Sequence, residues 1–317
     1  MQTGTRILSK ITYYLTLPFI YLGSVMPFPL LYLVSDIFFV VIYWVWGYRK
    51  SVVLENLRYS FPEKTAAEIK ALRRQYYRYI CDMFLETFKI LTISSGSMLR
   101  HCRLDEPSRQ LLDELFKKNE SSILTLGHKG NWEWAGSTFS LVCRQPFYIV
   151  YHPFSNPYYD RVMQKMRTRF GAHLITMANT FKGLKGLGKE TVLTAFVADQ
   201  SPPPETAQWM EFMHRQTGFF KGPEKISSKL GQSVLYLSIN RVGRGYYTMH
   251  VEKLSEVNEA LVAGEITERY VRALEKDIAS KPETWLWSHR RWKHKQPETF
   301  QTPSITPAKK IQRPMNR

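Results

Sequence analysis

Apolar residues are spread unevenly along this chain of 317 residues, and the first 48 positions are the most apolar part. Between residues 11 and 48 the only charged side chain is Asp36, and three prolines divide the stretch. The cleanest apolar piece, Leu30 to Trp46, would span about 25 Å as a helix, which is just short of a typical hydrocarbon core. The pattern predicts a membrane-associating helical segment over residues 1–48.

The residues that flank this segment bear on how it meets a membrane. Arg6 and Lys10 lie on one side and Arg49 and Lys50 on the other, and many of the residues between them are Tyr or Trp, as at membrane interfaces. Basic flanks at both ends favour either a proline-broken hairpin that enters from the cytosolic face or a single short span. A buried core hairpin is the alternative. A cleavable signal peptide fits poorly, because the apolar part is too long and no small-residue cleavage site follows it.

The sequence pattern of the rest of the chain changes at about residue 121, from helical periodicity to alternating strands and helices. Residues 49–100 have helical periodicity, with a capping box at Thr65–Glu68 before a long helix. Strands are then predicted at Ile123–Leu126, Phe147–Tyr151, His173–Thr176, Val192–Ala198, Val234–Ile239 and Tyr247–Val251. Helices are predicted at Trp132–Val142, Tyr158–Phe170, Pro223–Leu230 and Thr267–Ala279. This alternation predicts an α/β fold with a mostly parallel central sheet flanked by helices, over residues 49–295. The Pro-rich basic tail, 296–317, is predicted to be disordered.

Charge and cysteine content narrow the class of protein. The formal net charge of +17 indicates an anionic partner, for which nucleic acid, anionic lipid and an acidic carrier protein are all candidates. The three cysteines are widely spaced and odd in number, which argues against a disulfide framework and a zinc site and suits a reducing cytosol.

The most informative motif is the stretch from Ser122 to Glu133. A short apolar run ends in Gly127, His128 follows, and Glu133 comes five residues later. This pattern predicts a buried strand, a tight turn that exposes an imidazole, and a carboxylate in the first turn of a helix. A carboxylate that fixes the tautomer of His128 would make it a general base. The spacing alone recurs at His101, without a preceding strand or glycines, so the context carries the argument.

Several other motifs are less specific than this one. The Gly-rich run 183–189 imitates a phosphate-binding loop but lacks Ser/Thr after its lysine and precedes a strand, which argues against nucleotide binding. Basic residues on the helix before Gly171 are either a solvated face or a clamp for phosphate. Asp199 ends an apolar strand and either caps the loop or lies near a site. The cluster Ser288–Lys293 suits anionic headgroups or a solvated helix end.

These residues together resemble the late (lauroyl/myristoyl) acyltransferases of lipid A biosynthesis, within the bacterial lysophospholipid acyltransferase superfamily. The resemblance runs to about residue 295. It rests on an ordered set of motifs that includes the apolar amino terminus, Asn56-Leu57, Phe61-Pro62-Glu63, Gly127-His128 with Glu133, Tyr151-His-Pro, Arg167-Thr-Arg169-Phe-Gly171, Asp199, Gly222-Pro223 and His289-Arg-Arg-Trp-Lys293. One departure is the proline-rich run that follows Asp199.

The resemblance implies roles for individual residues. His128 would be the catalytic base and Glu133 its orienting partner, with Arg167 and Asp199 as supporting site residues and Arg169 as the alternative arginine. It also implies acyl carrier protein as the donor, a phosphorylated glucosamine disaccharide lipid as the acceptor, and the cytoplasmic face of the bacterial inner membrane as the location.

The residues themselves predict a mechanism for such an enzyme. His128 would take the proton from an acceptor hydroxyl, so no Ser or Cys nucleophile, metal or cofactor is required. Backbone N–H groups around Gly130 and Asn131 would stabilise the oxyanion. Two alternatives stay open: the same chemistry on a lysophospholipid, ornithine lipid or glycolipid with acyl-CoA or an acyl carrier protein as donor, and a non-catalytic basic membrane tether. Nucleic-acid binding is not expected of the enzyme.

Overall fold

The computed structural model describes residues 2–297, with side chains from residue 9 onward, so nearly all of the tail predicted to be disordered (296–317) lies outside the described residues. The α-helices are α1 (Gln2–Val25), α2 (Phe28–Val40), α3 (Lys50–Ser60), α4 (Ala66–Lys89), α5 (Ser95–His101), α6 (Glu106–Lys117), α7 (Trp132–Val142), α8 (Pro157–Thr168), α9 (Thr180–Gly186), α10 (Gly222–Leu230) and α11 (Glu265–Ser280). The strands are β1 (Cys102–Leu104), β2 (Ser122–Leu126), β3 (Phe147–Tyr151), β4 (His173–Thr176), β5 (Leu193–Val197), β6 (Gln208–Phe212), β7 (Arg215–Phe219), β8 (Ser233–Gly243) and β9 (Tyr246–Ser255).

Seven strands form one sheet in the order β1-β9-β8-β2-β5-β3-β4. Strands β8, β2, β5, β3 and β4 are parallel to one another, whereas β9 returns antiparallel to β8 and pairs in parallel with the short strand β1. The predicted α/β fold with a mostly parallel sheet is therefore confirmed. The central strand β2 is buried along its whole length, which explains its unbroken apolar character.

Two apolar layers cover the faces of this sheet. One contains buried residues of α3, α4 and α11 together with Trp285 and Trp287. The other is built mainly from α5, α6 and α7 against the opposite face. The hairpin of β6 and β7 was not predicted; its residues alternate little, and it forms a separate two-stranded ribbon.

The apolar amino-terminal segment forms two helices, α1 and α2, which pack on α4. A π-helical turn, Val41–Trp46, extends α2, so that Phe28–Trp46 is long and apolar enough to cross a membrane by length and composition. Most of the large exposed apolar side chains of the described residues lie between residues 11 and 48. A soluble core hairpin would bury those side chains, so the exposure favours membrane association over that alternative.

Polar contacts fix this segment to the domain. The buried ammonium of Lys89, at the end of α4, donates to the carbonyls of Ser24 (2.8 Å) and Met26 (2.7 Å), where α1 ends. The hydroxyl of Ser35 in α2 donates to Asp82 of α4 at 2.6 Å. The apolar helices therefore have a defined position relative to the sheet.

Candidate active site

The register of β2 against β5 brings together two side chains that are far apart in the sequence. Leu126, the last residue of β2, pairs with Val197, the last residue of β5. His128 and Asp199 each follow two positions later at the carboxyl edge of the parallel sheet, where ligands collect in such folds. His128 Nδ1 lies 2.5 Å from Asp199 Oδ1.

Asp199 is held by three hydrogen bonds in the protein interior. Its Oδ1 bonds to the His128 ring, while its Oδ2 accepts the backbone N–H of His128 (2.7 Å) and the indole N–H of Trp285 (2.8 Å). Burial alone would raise the pKa of Asp199, but the charge and hydrogen bonds of His128 and the bond from Trp285 outweigh it and lower the pKa to about 2.

This carboxylate determines which nitrogen of His128 carries hydrogen. An ionised Asp199 only accepts hydrogen bonds, so in neutral His128 the hydrogen lies on Nδ1 and the lone pair on Nε2. Nε2 lies 3.3 Å from the side-chain Nε2 of Gln200. The His128 side chain is 16% exposed, and both it and Gln200 line a cavity of about 490 Å³. The geometry is that of a general base oriented by a buried acid.

Two glycines permit this arrangement. A Cβ on Gly127 would lie 2.5 Å from Leu274 Cδ1 and 3.2 Å from Asp199 Oδ2, so a larger residue there would crowd the carboxylate. Gly130 has a φ of +60°, and a Cβ there would lie 2.6 Å from the backbone oxygen of Ile239. The buried Lys129 between them donates to Asp277 at 2.8 Å and fixes the loop to α11.

The partner of Glu133 differs from the one predicted. Glu133 stands in the first turn of α7 but accepts two hydrogen bonds from Arg167, from Nε at 2.9 Å and from Nη2 at 2.5 Å. Burial would lower the pKa of Arg167, but Glu133 outweighs it and raises that pKa. Glu133 therefore does not orient His128 as predicted. The carboxylate that is hydrogen-bonded to the ring belongs to Asp199. Glu133 and Arg167 nevertheless line the same cavity.

Three other predictions for this region also need correction. Asn131 is fully buried, caps α7 by accepting the N–H of Trp134, and donates to Glu86, so its side chain lies outside the residues that line the cavity. Arg169 donates to the carbonyls of Ile90 and Ile93 behind α4. The Gly130 N–H is donated to the carbonyl of Thr284 at 3.0 Å, so it is not free for an oxyanion.

The basic cluster near the carboxyl end is only partly exposed: Arg290 and Lys293 face outward, whereas Arg291 is buried. Arg291 is 2% exposed and donates to the carbonyl of Gly218 at 2.6 Å. Burial lowers the pKa of Arg291 to about 10 and that of His289 to about 4. The arginine therefore holds the β6–β7 hairpin to the domain.

Apolar space extends from His128 in two directions. In the cavity beside His128 the walls are mainly apolar side chains of β2, β3, β5 and α7, including Leu124, Phe139 and Ala195. Trp132, Glu133 and Phe154 also line an apolar cleft of about 890 Å³ between α1, α2, α4 and α8. The cleft therefore adjoins the cavity beside His128 on the side of the amino-terminal helices.

The sequence did not reveal Gln200 and Trp285 as neighbours of the His128–Asp199 pair, and it gave Asp199 no partner. The available signal was that His128 and Asp199 each stand two residues past an apolar strand. The order β2–β5 was needed to make them neighbours, and it is set by tertiary packing. Among residues 2–297 no group of three or more potential metal-ligating side chains is found.

The sequence matches one known protein family and several characterised relatives. The model of the family described as bacterial lipid A biosynthesis acyltransferase matches residues 1–294. A lipid A biosynthesis palmitoleoyltransferase of Escherichia coli K12 is 23% identical over 247 residues, which cover 77% of this chain and 79% of that protein. A lipid A biosynthesis myristoyltransferase of the same organism is 23% identical over 167 residues, which cover 50% of this chain and 48% of that protein.

Proposed function

The chain belongs to the bacterial lipid A biosynthesis acyltransferase family and is an acyltransferase, and on that premise we propose that it transfers a fatty acyl chain to a hydroxyl of a lipid A precursor. The observation that carries this proposal is the hydrogen-bonded pair of His128 and Asp199 at the mouth of a cavity with apolar walls. The alternative of a non-catalytic membrane tether is set aside, because this family is one of enzymes.

His128 acts as the base in this proposal. Its Nε2 takes the proton from the acceptor hydroxyl as that oxygen attacks the carbonyl carbon of the donor thioester. The tetrahedral intermediate then expels the thiolate, which receives the proton from the imidazolium, so that an ester and a free thiol are formed. General-base catalysis of this kind contributes about 10²–10⁴-fold to the rate. The acceptor oxygen is the nucleophile, so none is required from the protein.

Asp199 holds the ring and stabilises its cationic form. Its pKa of about 2 keeps it ionised throughout the working pH range, and its second oxygen is anchored by Trp285 and the backbone of residue 128. This is the role of the acid in a hydrolytic triad. Glu133 acts indirectly in this proposal. Its ion pair holds Arg167 at the cavity wall, where a guanidinium suits a phosphate of the acceptor.

Gln200 is the candidate donor to the oxyanion. Its amide nitrogen already lies 3.3 Å from the basic nitrogen of His128, and the incoming hydroxyl would displace it from that atom. An amide N–H beside the reacting carbonyl stabilises the negative oxygen of the tetrahedral intermediate. This takes the place of the Gly130 N–H, which is already donated.

The two apolar spaces suit the two lipids. The donor chain would lie in the catalytic cavity, against Phe139 and Ala195, and the chains of the acceptor would lie in the cleft beside α1 and α2. That assignment puts the acceptor's chains on the side of the helices proposed to lie in the membrane. An acidic acyl carrier protein as the donor fits the net charge of +17, and the cytoplasmic face of the inner membrane is the location this implies.

The direct test is acyl transfer by purified protein in detergent micelles, with acyl carrier protein thioesters as donors. His128→Ala should lose transfer to a lipid A precursor while keeping the far-UV circular dichroism and the melting temperature of the wild type. His173→Ala, which changes an exposed histidine on β4, is the matched control and should stay active. Wild-type rates for His128→Ala, or acylation of lysophospholipid in preference to the lipid A precursor, would overturn the proposal.

A further inference from the structure

A second groove lies on the other side of the membrane-associating helices and is lined by four arginines. We call it the arginine groove, formed by Arg74 and Arg78 of α4 with Arg241 and Arg244 at the end of β8 and in the turn after it. Its volume is about 710 Å³. None of the proposed steps of acyl transfer uses it.

The arginine groove is separate from the catalytic cavity and the apolar cleft. It shares no lining residue with either of them. Helix α2 stands between the groove and the cleft: Val34 and Phe38 line the cleft, whereas Asp36 and Phe39 line the groove. A ligand in the groove would therefore not occupy the space of the reacting lipids.

The groove carries more positive than negative charge. Arg241 donates to Asp82 at 2.6 Å, and Arg244 bonds to both Asp82 and Asp36 at 2.7 Å. Those two carboxylates balance those two arginines. Arg74 and Arg78 are exposed, and neither forms an ion pair with a carboxylate among the residues that the structure describes; Arg78 lies over the Phe39 ring, 5.2 Å from its centre. Two guanidinium groups thus remain available to an anion.

The walls of the groove are apolar where they belong to the membrane-associating helix. Val40 and Trp44 are exposed there, with Trp44 58% exposed, and Val242 stands exposed on the opposite rim. The Lys50 ammonium lies 4.4 Å from the centre of the Tyr43 ring, so a further cation stands near this end of α2. An anionic head bound to apolar chains matches such a surface, whereas a fully soluble anion uses only the arginines.

We propose that the arginine groove binds the phosphate of an anionic membrane phospholipid, in addition to the lipids that react at His128. Arginine forks bind phosphate oxygens in pairs, and the lipid chains would continue along Val40 and Trp44. The proposal rests on the proposed membrane association of the amino-terminal helices but not on the chemistry at His128. Occupancy would fix the height and tilt at which the domain meets the membrane.

The test compares binding of the full-length protein to phosphatidylcholine vesicles with and without phosphatidylglycerol. The double variant Arg74→Gln/Arg78→Gln should lose most of the gain in partitioning that phosphatidylglycerol gives. Each basic residue near an anionic surface contributes about 1 kcal/mol, so the loss should be about 30-fold. Lys117→Gln/Lys118→Gln, which removes two exposed charges from α6, is the matched control and should change partitioning far less.

Two further measurements are needed. One identifies the source of the phosphate, and the other separates this proposal from the proposed catalytic function. Inorganic phosphate at matched ionic strength should compete poorly; if it abolishes the phosphatidylglycerol gain, the groove binds free phosphate and the lipid assignment fails. In micelles without anionic lipid, the arginine double variant should keep the wild-type KM for the acceptor. A raised KM in those micelles would assign the groove to the acceptor and overturn the proposal. Equal losses of partitioning in both double variants would show that net charge alone explains the effect.

Discussion

Two buried carboxylates near His128 differ in what they bind, and that difference decides their roles. Asp199 bonds to the imidazole and to Trp285, whereas Glu133 is bound at both oxygens by Arg167. An acid that already accepts two hydrogen bonds from a guanidinium has little capacity to orient another ring. The orientation of the His128 ring is therefore fixed by Asp199, which follows the neighbouring strand β5, and not by Glu133 of the helix that follows His128.

Asp199→Asn should lower kcat by a factor on the order of 10²–10⁴ with the fold preserved. The amide can present its NH₂ to Nδ1, which would move the ring hydrogen to Nε2 and remove the basic lone pair from the cavity. The measurement is the initial rate of transfer at saturating donor and acceptor. Glu205→Gln, an exposed change on the same loop, is the control. A kcat within about threefold of the wild type would show that the acid is not needed.

The local sequence predicted His128 and both carboxylates as site residues but assigned the partners wrongly. The His-x4-Glu spacing places Glu133 in the first turn of α7, five residues after His128, and nothing in that spacing reveals Arg167 as its partner. Asn131 and Arg169 were expected at the site for similar reasons, yet one caps a helix and the other binds carbonyls behind α4. Polar residues beside a site serve its framework as often as its chemistry, and only their hydrogen bonds distinguish the two.

Helix α4 is the element that joins the apolar amino-terminal helices to the loop that carries His128. Its Glu86 is completely buried and accepts hydrogen bonds from Tyr32 of α2 (3.1 Å), Asn131 (2.9 Å) and Tyr247 of β9 (2.7 Å). Burial raises the pKa of Glu86, and the bonds from Tyr247 and Asn131 oppose that rise. Asn131 in turn caps α7, so this carboxylate supports the turn that carries His128.

Glu86→Leu should destabilise the protein and loosen the catalytic loop. Three donors would lose their acceptor, and each unsatisfied buried group costs about 1–3 kcal/mol, so the free energy of unfolding should fall by several kcal/mol. Glu86→Gln keeps one acceptor oxygen and should cost less. Chemical denaturation in mild detergent measures both variants against Lys70→Gln on the exposed side of α4. Equal stability of Glu86→Leu and the wild type would show that the network is not structural.

At this scale the sequence was a good guide to the individual strands and helices but not to their pairing. The strands predicted at Phe147–Tyr151 and His173–Thr176 and the helix predicted at Trp132–Val142 have the predicted bounds. Buried parallel strands are unbroken apolar runs, which is why they were recognisable. The three-residue strand β1 and the β6–β7 ribbon were missed, since neither has enough alternating residues to produce a pattern.

In the whole molecule, the exposed apolar surface and the apolar cleft adjoin both α1 and α2, and the arginine groove adjoins α2. The helix Phe28–Trp46 meets the length and composition expected of a span, yet Ser35 and Asp36 tie one face of it to Asp82 and Arg244. The scarcity of charged residues predicts that this segment associates with a membrane, and that stays a prediction. Those tertiary bonds could not be predicted, because their partners lie in α4 and after β8.

The most direct test of the account concerns the hydrogen bond between His128 and Asp199. The full-length protein, labelled with ¹⁵N-histidine in detergent micelles, should show a strongly downfield ring N–H proton for His128 Nδ1, as expected for a short bond to an ionised carboxylate. His128→Gln assigns the signal. The signal should persist in Glu133→Gln and disappear in Asp199→Asn. A signal that survives in Asp199→Asn and is lost in Glu133→Gln would contradict this prediction.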